Sequence, residues 1–141
     1  MLLTLLITSL LASADYWYAN IYRVAAKQIV QKIPPQSNIW FSGPWGWQWY
    51  AIQEGMKPFD IHQSHPLPGD YLVTVKHSSK LKCVQLKEIE ILSIEREKWY
   101  QRFAAINFYT SDMRPWEYST DPIETFTIYQ FKDTLGCSNG S

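Results

Sequence analysis

The pattern of hydrophobic and polar positions takes three distinct forms along this chain. From Met1 to Ala14 there is no alternation: the segment carries no charge and reads Leu-Leu-Thr-Leu-Leu-Ile-Thr-Ser-Leu-Leu from position 2. From Asp15 to Ile33 the period is helical. Tyr18, Tyr22, Ala25, Ala26, Ile29 and Ile33 recur at three- and four-residue steps on one face, and Arg23, Lys27 and Gln31 fall on the other. Pro34-Pro35 ends that helix, because proline lacks the donor a helix needs. Beyond it the pattern shortens to strand length. Asn38–Ser42 is an apolar run before Gly43; Pro44 opens a helix over Trp45–Glu54, and Gly55 caps it.

Lys57–Ile61 reads as a short strand, Pro66–Asp70 as a turn, and Tyr71–Val75 as a strand. Ser78-Ser79 marks a hairpin turn into a strand near Leu81–Leu86 that continues through Glu88–Glu95. Glu95–Phe103 has the option of a short helix. Ala104–Tyr109 is a strand candidate, Ser111–Asp121 a loop, Ile123–Lys132 the last strand, and Thr134–Ser141 a polar tail. This order predicts an α/β fold: a small mixed sheet with flanking helices, begun by a strand-helix-strand unit and extended by antiparallel strands.

Two readings fit the amino terminus. A secretory signal has this apolar length and a small-residue end, Ala12-Ser13-Ala14, but it starts with a basic segment that is absent here. Alternatively, residues 1–14 are the end of a transmembrane helix. They are shorter than the ~20 residues a span requires, and Tyr16-Trp17-Tyr18 then forms the aromatic belt at the boundary. Both readings put residues 15–133 outside the cytoplasm, with residues 134–141 as a disordered tail.

Composition narrows the function. Lys plus Arg equals Asp plus Glu at 13 each, so no basic field for nucleic acid exists. Cys83 and Cys137 have no metal-ligand spacing; they stand either paired or as free thiols. His62 and His65 lie three apart but among prolines, without a third ligand. Phe41-Ser42-Gly43-Pro44 lacks the Gly-x-Ser-x-Gly of a nucleophile elbow. Gly43 and Gly46 lack the third glycine of a dinucleotide loop. Asp60 and Asp70 end predicted strands, and Asp70 suits a turn whose carboxylate binds nearby amides. The chain is therefore expected to carry no catalytic residue, no metal and no cofactor of its own.

Aromatic residues are what remain. Trp40, Trp45, Trp47, Trp49 and Trp116 crowd two stretches, and Trp45, Trp47, Trp49 and Tyr50 go around a helix instead of down one face. Some must be exposed or meet another surface: a sugar, a membrane or a partner domain. Trp45, Trp47, Gln48, Tyr50, Tyr109 and Trp116 are the candidate binding residues, and Gly43, Gly69 and Asp70 the structural turn residues.

These stretches also carry a family resemblance. Ala14-Asp15-Tyr16-Trp17-Tyr18-Ala19 with Arg23, then Trp40-Phe41-Ser42-Gly43-Pro44-Trp45-Gly46-Trp47-Gln48-Trp49-Tyr50, then Gly55-Met56-Lys57-Pro58-Phe59-Asp60 and Pro68-Gly69-Asp70 follow in order. Phe108-Tyr109-Thr110, Pro115-Trp116 and Phe126-Thr127-Ile128-Tyr129 complete the series. Together they resemble the carboxy-terminal soluble domain of bacterial membrane glycosyltransferases of the protein O-mannosyltransferase and aminoarabinose-transferase type, which use polyprenyl-phosphate sugars. Pro44 departs from that pattern, where relatives often have histidine. The family's catalytic acids lie in an extracytoplasmic loop that has no counterpart in this sequence. The resemblance implies a non-catalytic extracytoplasmic domain, a fragment of such an enzyme. Its partners would be the membrane, the enzyme's transmembrane portion, and a lipid-linked sugar or acceptor. A stand-alone secreted carbohydrate- or envelope-binding module is the alternative.

Overall fold

A computed structural model describes residues 2–75, 85–103 and 118–132. Helix α1 (Leu2–Lys32) is followed by β1 (Ile39–Ser42), α2 (Trp45–Gln53), β2 (Lys57–Pro58) and β3 (Tyr71–Val75). Strand β4 (Leu86–Ile94), a 3-10 helix (Trp99–Phe103) and β5 (Glu124–Phe131) complete the order. The apolar start and the amphipathic segment are thus one continuous helix of 31 residues. The chain forms two compact units, one of Met1–Ile21 with Ser93–Glu124, the other of Tyr22–Leu92 with Thr125–Ser141.

Among the described residues a mixed five-stranded sheet, in the order β2-β1-β3-β5-β4, gives the α/β fold the sequence predicts. β1 runs parallel to both β2 and β3, with Phe41 beside Val73, and β3 runs antiparallel to β5, with Val73 beside Ile128. Ile123 N–H donates to Ile94 O and Lys132 N–H to Gln85 O; as one number rises the other falls, so β4 and β5 are antiparallel. β2 spans two residues, against the five expected, because Pro58 supplies no ladder donor. A two-residue strand also leaves little open edge for another chain to pair with.

In the larger unit, the predicted helical face becomes core. Tyr22, Ala25, Ala26, Ile29 and Ile33 are buried, while Arg23, Lys27 and Gln31 are exposed. Central strand β3 buries Leu72, Val73, Thr74 and Val75 in succession, as a strand covered on both faces must. On one face Trp47 packs 4.8 Å from Phe126 and perpendicular to Phe41, with Tyr22 closing the group. On the other, Phe59 sits 5.8 Å from Phe131 and edge-on to Trp40. Strand β4, the last in the sheet among the described residues, leaves Ile89 and Ile91 exposed, which matches its imperfect alternation, and Glu90 pairs with Lys32.

Candidate functional site

Around α2 the aromatic residues separate by angle. Trp45, Trp49 and Ile52, at steps of four and three, form one exposed stripe; Trp45 is 86% and Trp49 65% accessible. Trp47 and Ala51 point the other way and are fully buried. Trp47 is therefore a core residue, which corrects its expected place among the binding side chains: its ring is held by Phe41, Tyr22 and Phe126, and no ligand reaches it in the folded state. Its indole Nε1–H is buried without an acceptor among the described residues. Gln48 turns back to donate to Gly43 O at 2.9 Å, closing the strand-to-helix turn, and Tyr50 is half-buried. Tyr109 and Trp116 lie outside the described residues, as do Cys83 and Cys137 and the predicted hairpin turn, the 104–109 strand candidate and the tail.

The three turn residues each have a distinct physical role. At Gly43 the constraint is space. A Cβ there would lie 2.8 Å from both Trp47 Cδ1 and Val75 Cγ2, and φ is 159°, close to extended backbone. Gly69 sits at φ 93° in the turn closed by Asp70 N–H to Leu67 O at 3.0 Å. With Pro68 before it, this is a type II turn, whose third position calls for glycine. Gly55 caps α2 at φ 85°: its N–H bonds Ile52 O, and Met56 N–H bonds Ala51 O, the paired pattern that closes a helix carboxy terminus.

Asp70 is 6% exposed and joins that turn to the sheet. Its carboxylate accepts from Leu67 N–H at 3.0 Å, Trp40 Nε1–H at 3.1 Å, and both the backbone and side chain of Asn38 at 3.3 and 3.2 Å. Burial, the largest influence, pushes its pKa up; the combined hydrogen bonds outweigh it and hold the group below its ordinary value. Asn38 Oδ1 in turn accepts from Lys57 Nζ at 2.8 Å, and that ammonium stands 5.7 Å from the Trp40 ring centre. An ionised carboxylate with its lone pairs occupied makes a poor general base, so Asp70 fastens β1, β3 and the 67–70 turn together. Asp60 is separately engaged in its own turn, accepting from His62 N–H at 2.8 Å. His62 and His65 thus lie in the expected loop. No three His, Cys, Asp or Glu side chains gather as a metal site among the described residues.

The smaller unit holds a feature that no sequence motif singled out. The 3-10 helix places Trp99, 64% exposed, and Tyr100 beside the apolar start of α1, across a groove of about 590 Å³. The available signal was the interleaving of Lys98 and Arg102 with Trp99, Tyr100 and Phe103. Arg96 anchors this helix from below the surface: it is buried, and donates from Nε to Asp121 O at 2.9 Å and from Nη1 to Gln101 O at 2.6 Å. On α1, Leu2, Leu3, Leu5, Leu6 and Ile7 are all exposed, and α1 is long and apolar enough to cross a membrane. Comparisons with known proteins find no matching family, no similar curated protein and no similar solved structure.

Proposed function

We propose that this chain is the membrane-anchored, extracytoplasmic α/β domain of a glycosyltransferase that uses a polyprenyl-phosphate sugar, and that it is not catalytic by itself. The observation that carries the membrane half is α1: its first eight described residues, Leu2–Ser9, are all exposed, and five of them are leucine or isoleucine. Such a surface in water forgoes the ~25 cal/mol per Å² that apolar burial provides. The glycosyltransferase half rests on the ordered motifs from Ala14 to Tyr129. Transfer would take place in the membrane part of the enzyme, where an acidic base activates the acceptor hydroxyl, which attacks the sugar carbon and displaces polyprenyl phosphate. The α/β domain would cover that cavity or position the acceptor.

Two experiments test the two halves. Mixed with phosphatidylcholine vesicles in a density gradient, the full chain floats at low and at high salt, because screening leaves apolar burial intact. A chain that stays at the bottom, or floats only at low salt, overturns the membrane half. Removing the chain from its native cell causes the polyprenyl-phosphate sugar to accumulate and its glycosylated acceptor to fall, and re-expression reverses both. Unchanged levels of donor and acceptor overturn the glycosyltransferase half. A second reading, a secreted carbohydrate-binding module, draws on the exposed Trp45–Trp49 stripe. Saturable binding of soluble oligosaccharides by a chain that does not float, lost in Trp45→Ala, would favour it.

A further inference from the structure

Where α1 enters a bilayer, whatever lies level with its immersed residues is immersed too. Among the described residues of the smaller unit that neighbour is the 3-10 helix. Trp99 and Tyr100 share the larger groove with Leu6, Leu10 and Ser13 of α1. Tyr100 also lines a second groove, of about 450 Å³, with Ser13, Tyr16 and Asn20. Trp99 is therefore level with Leu6–Ser13, on the amino-terminal side of Tyr16-Trp17-Tyr18.

This placement conflicts with a boundary at Tyr16. From Tyr16 back to the span Leu6–Ser13 is three to ten residues, about 5–15 Å at 1.5 Å each, which lies inside a hydrocarbon core of about 30 Å. Trp99 would then lie below the boundary, inside the hydrocarbon, taking the adjacent Lys98 and nearby Arg102 with it. Charged side chains are costly inside hydrocarbon, whereas Trp and Tyr favour the headgroup level. On α1, Leu2–Ser9 are exposed throughout, Leu10 and Leu11 are half-buried, and beyond them exposed residues flank Ala14, which is completely covered by protein. One hydroxyl in the exposed stretch also has an internal partner. Thr8 Oγ1 donates to Thr4 O at 2.9 Å, so that hydroxyl enters lipid already satisfied.

We infer that, among the described residues, the chain meets the bilayer through two elements, the start of α1 and the 3-10 helix Trp99–Phe103, and that the membrane–water boundary crosses α1 near Leu10. Leu2–Ser9 lie in hydrocarbon, Trp99 and Tyr100 at the headgroups, and Tyr16-Trp17-Tyr18 outside. The inference rests on the membrane half of the proposed function. Its partner is a lipid surface without required charge, since Glu95 and Glu97 flank the same turn that carries Lys98 and Arg102.

The test uses the full chain with Cys83→Ser and Cys137→Ser, reconstituted in phosphatidylcholine vesicles. An environment-sensitive fluorophore is attached at Ile7→Cys, Tyr16→Cys or Trp99→Cys, one at a time. All three side chains are exposed, so the fold tolerates the label, and circular dichroism checks each variant. Iodide in the water and nitroxide-bearing lipids in the bilayer serve as quenchers. Positions 7 and 99 should be several-fold less sensitive to iodide than position 16, and should be quenched by lipid nitroxides, shallowly at 99 and more deeply at 7. In a chain that floats, lipid quenching at 16, or iodide quenching at 99 equal to that at 16, overturns the inference. If the chain does not float, the membrane reading fails first, and this inference with it.

Discussion

Replacing Gly43 with alanine tests how α2 is seated on the sheet. The added methyl would lie 2.8 Å from Trp47 Cδ1 and 2.8 Å from Val75 Cγ2. Neither neighbour can yield easily, because Trp47 is fully buried and Val75 nearly so. The backbone contributes little, since φ is close to extended; the penalty is overpacking, typically ~1–3 kcal/mol. With about 2.1 cal/mol/K of unfolding entropy per residue over 141 residues, the Tm should fall by roughly 3–10 °C. Gly43→Val, with two further methyls, should cost more. Thermal and urea unfolding of the full chain in mild detergent, followed by circular dichroism, gives the magnitude, and a double-mutant cycle with Val75→Ala gives the cause. Removing Val75 Cγ2 relieves one of the two clashes, so the double variant should be less destabilised than the two single changes together, by at least ~0.5 kcal/mol. An unchanged midpoint for Gly43→Ala, or strict additivity with Val75→Ala, would refute the packing argument.

Asp70→Ala should lower stability by about 1.5–3 kcal/mol, the typical worth of hydrogen bonds to a charged group, measured by urea unfolding. Because the folded carboxyl is held below its ordinary value of 3.8, its contribution is complete above that pH and is lost as pH falls through the lower folded value. Asp70→Asn should flatten this acid limb, and an unaltered acid profile would show that the carboxylate is not responsible. Trp47→Ala should cost ~3–5 kcal/mol, as for other buried aromatics, while Trp45→Ala and Trp49→Ala should stay within about 0.5 kcal/mol, as for surface sites; similar losses at all three would contradict the angular division of α2. Arg96→Lys should destabilise the smaller unit, because an ammonium does not reproduce the fork that reaches both Asp121 O and Gln101 O. Amide exchange at residues 98–103 should accelerate in that variant, and unchanged protection would refute the anchoring role.

Local chemistry determined much of this protein. The three- and four-residue spacing from Tyr22 to Ile33 specified a buried helix face, since side chains at those steps share one side. Pro68-Gly69-Asp70 specified its turn, because proline's fixed φ and glycine's freedom leave few alternatives, and Tyr71–Val75 was legible as an unbroken β-branched and apolar run. Other features depend on partners distant in sequence, which no local window contains. Trp45, Trp47 and Trp49 are chemically identical, and only the seating of α2 against Phe41, Tyr22 and Phe126 makes one core and two surface. Asp70 read as a turn residue, yet three of its donor groups come from Asn38 and Trp40, about thirty positions away, and arrive through the β1–β3 pairing. Gly43 read as a turn residue, but its requirement is space, set by Trp47 on α2 and by Val75 on the neighbouring strand. The aromatic run Tyr16-Trp17-Tyr18 suggested a membrane boundary at its own position. The groove shared by Trp99 and Leu10, far apart in the chain, exists only after folding, because chain reversal brings together what composition alone leaves separate.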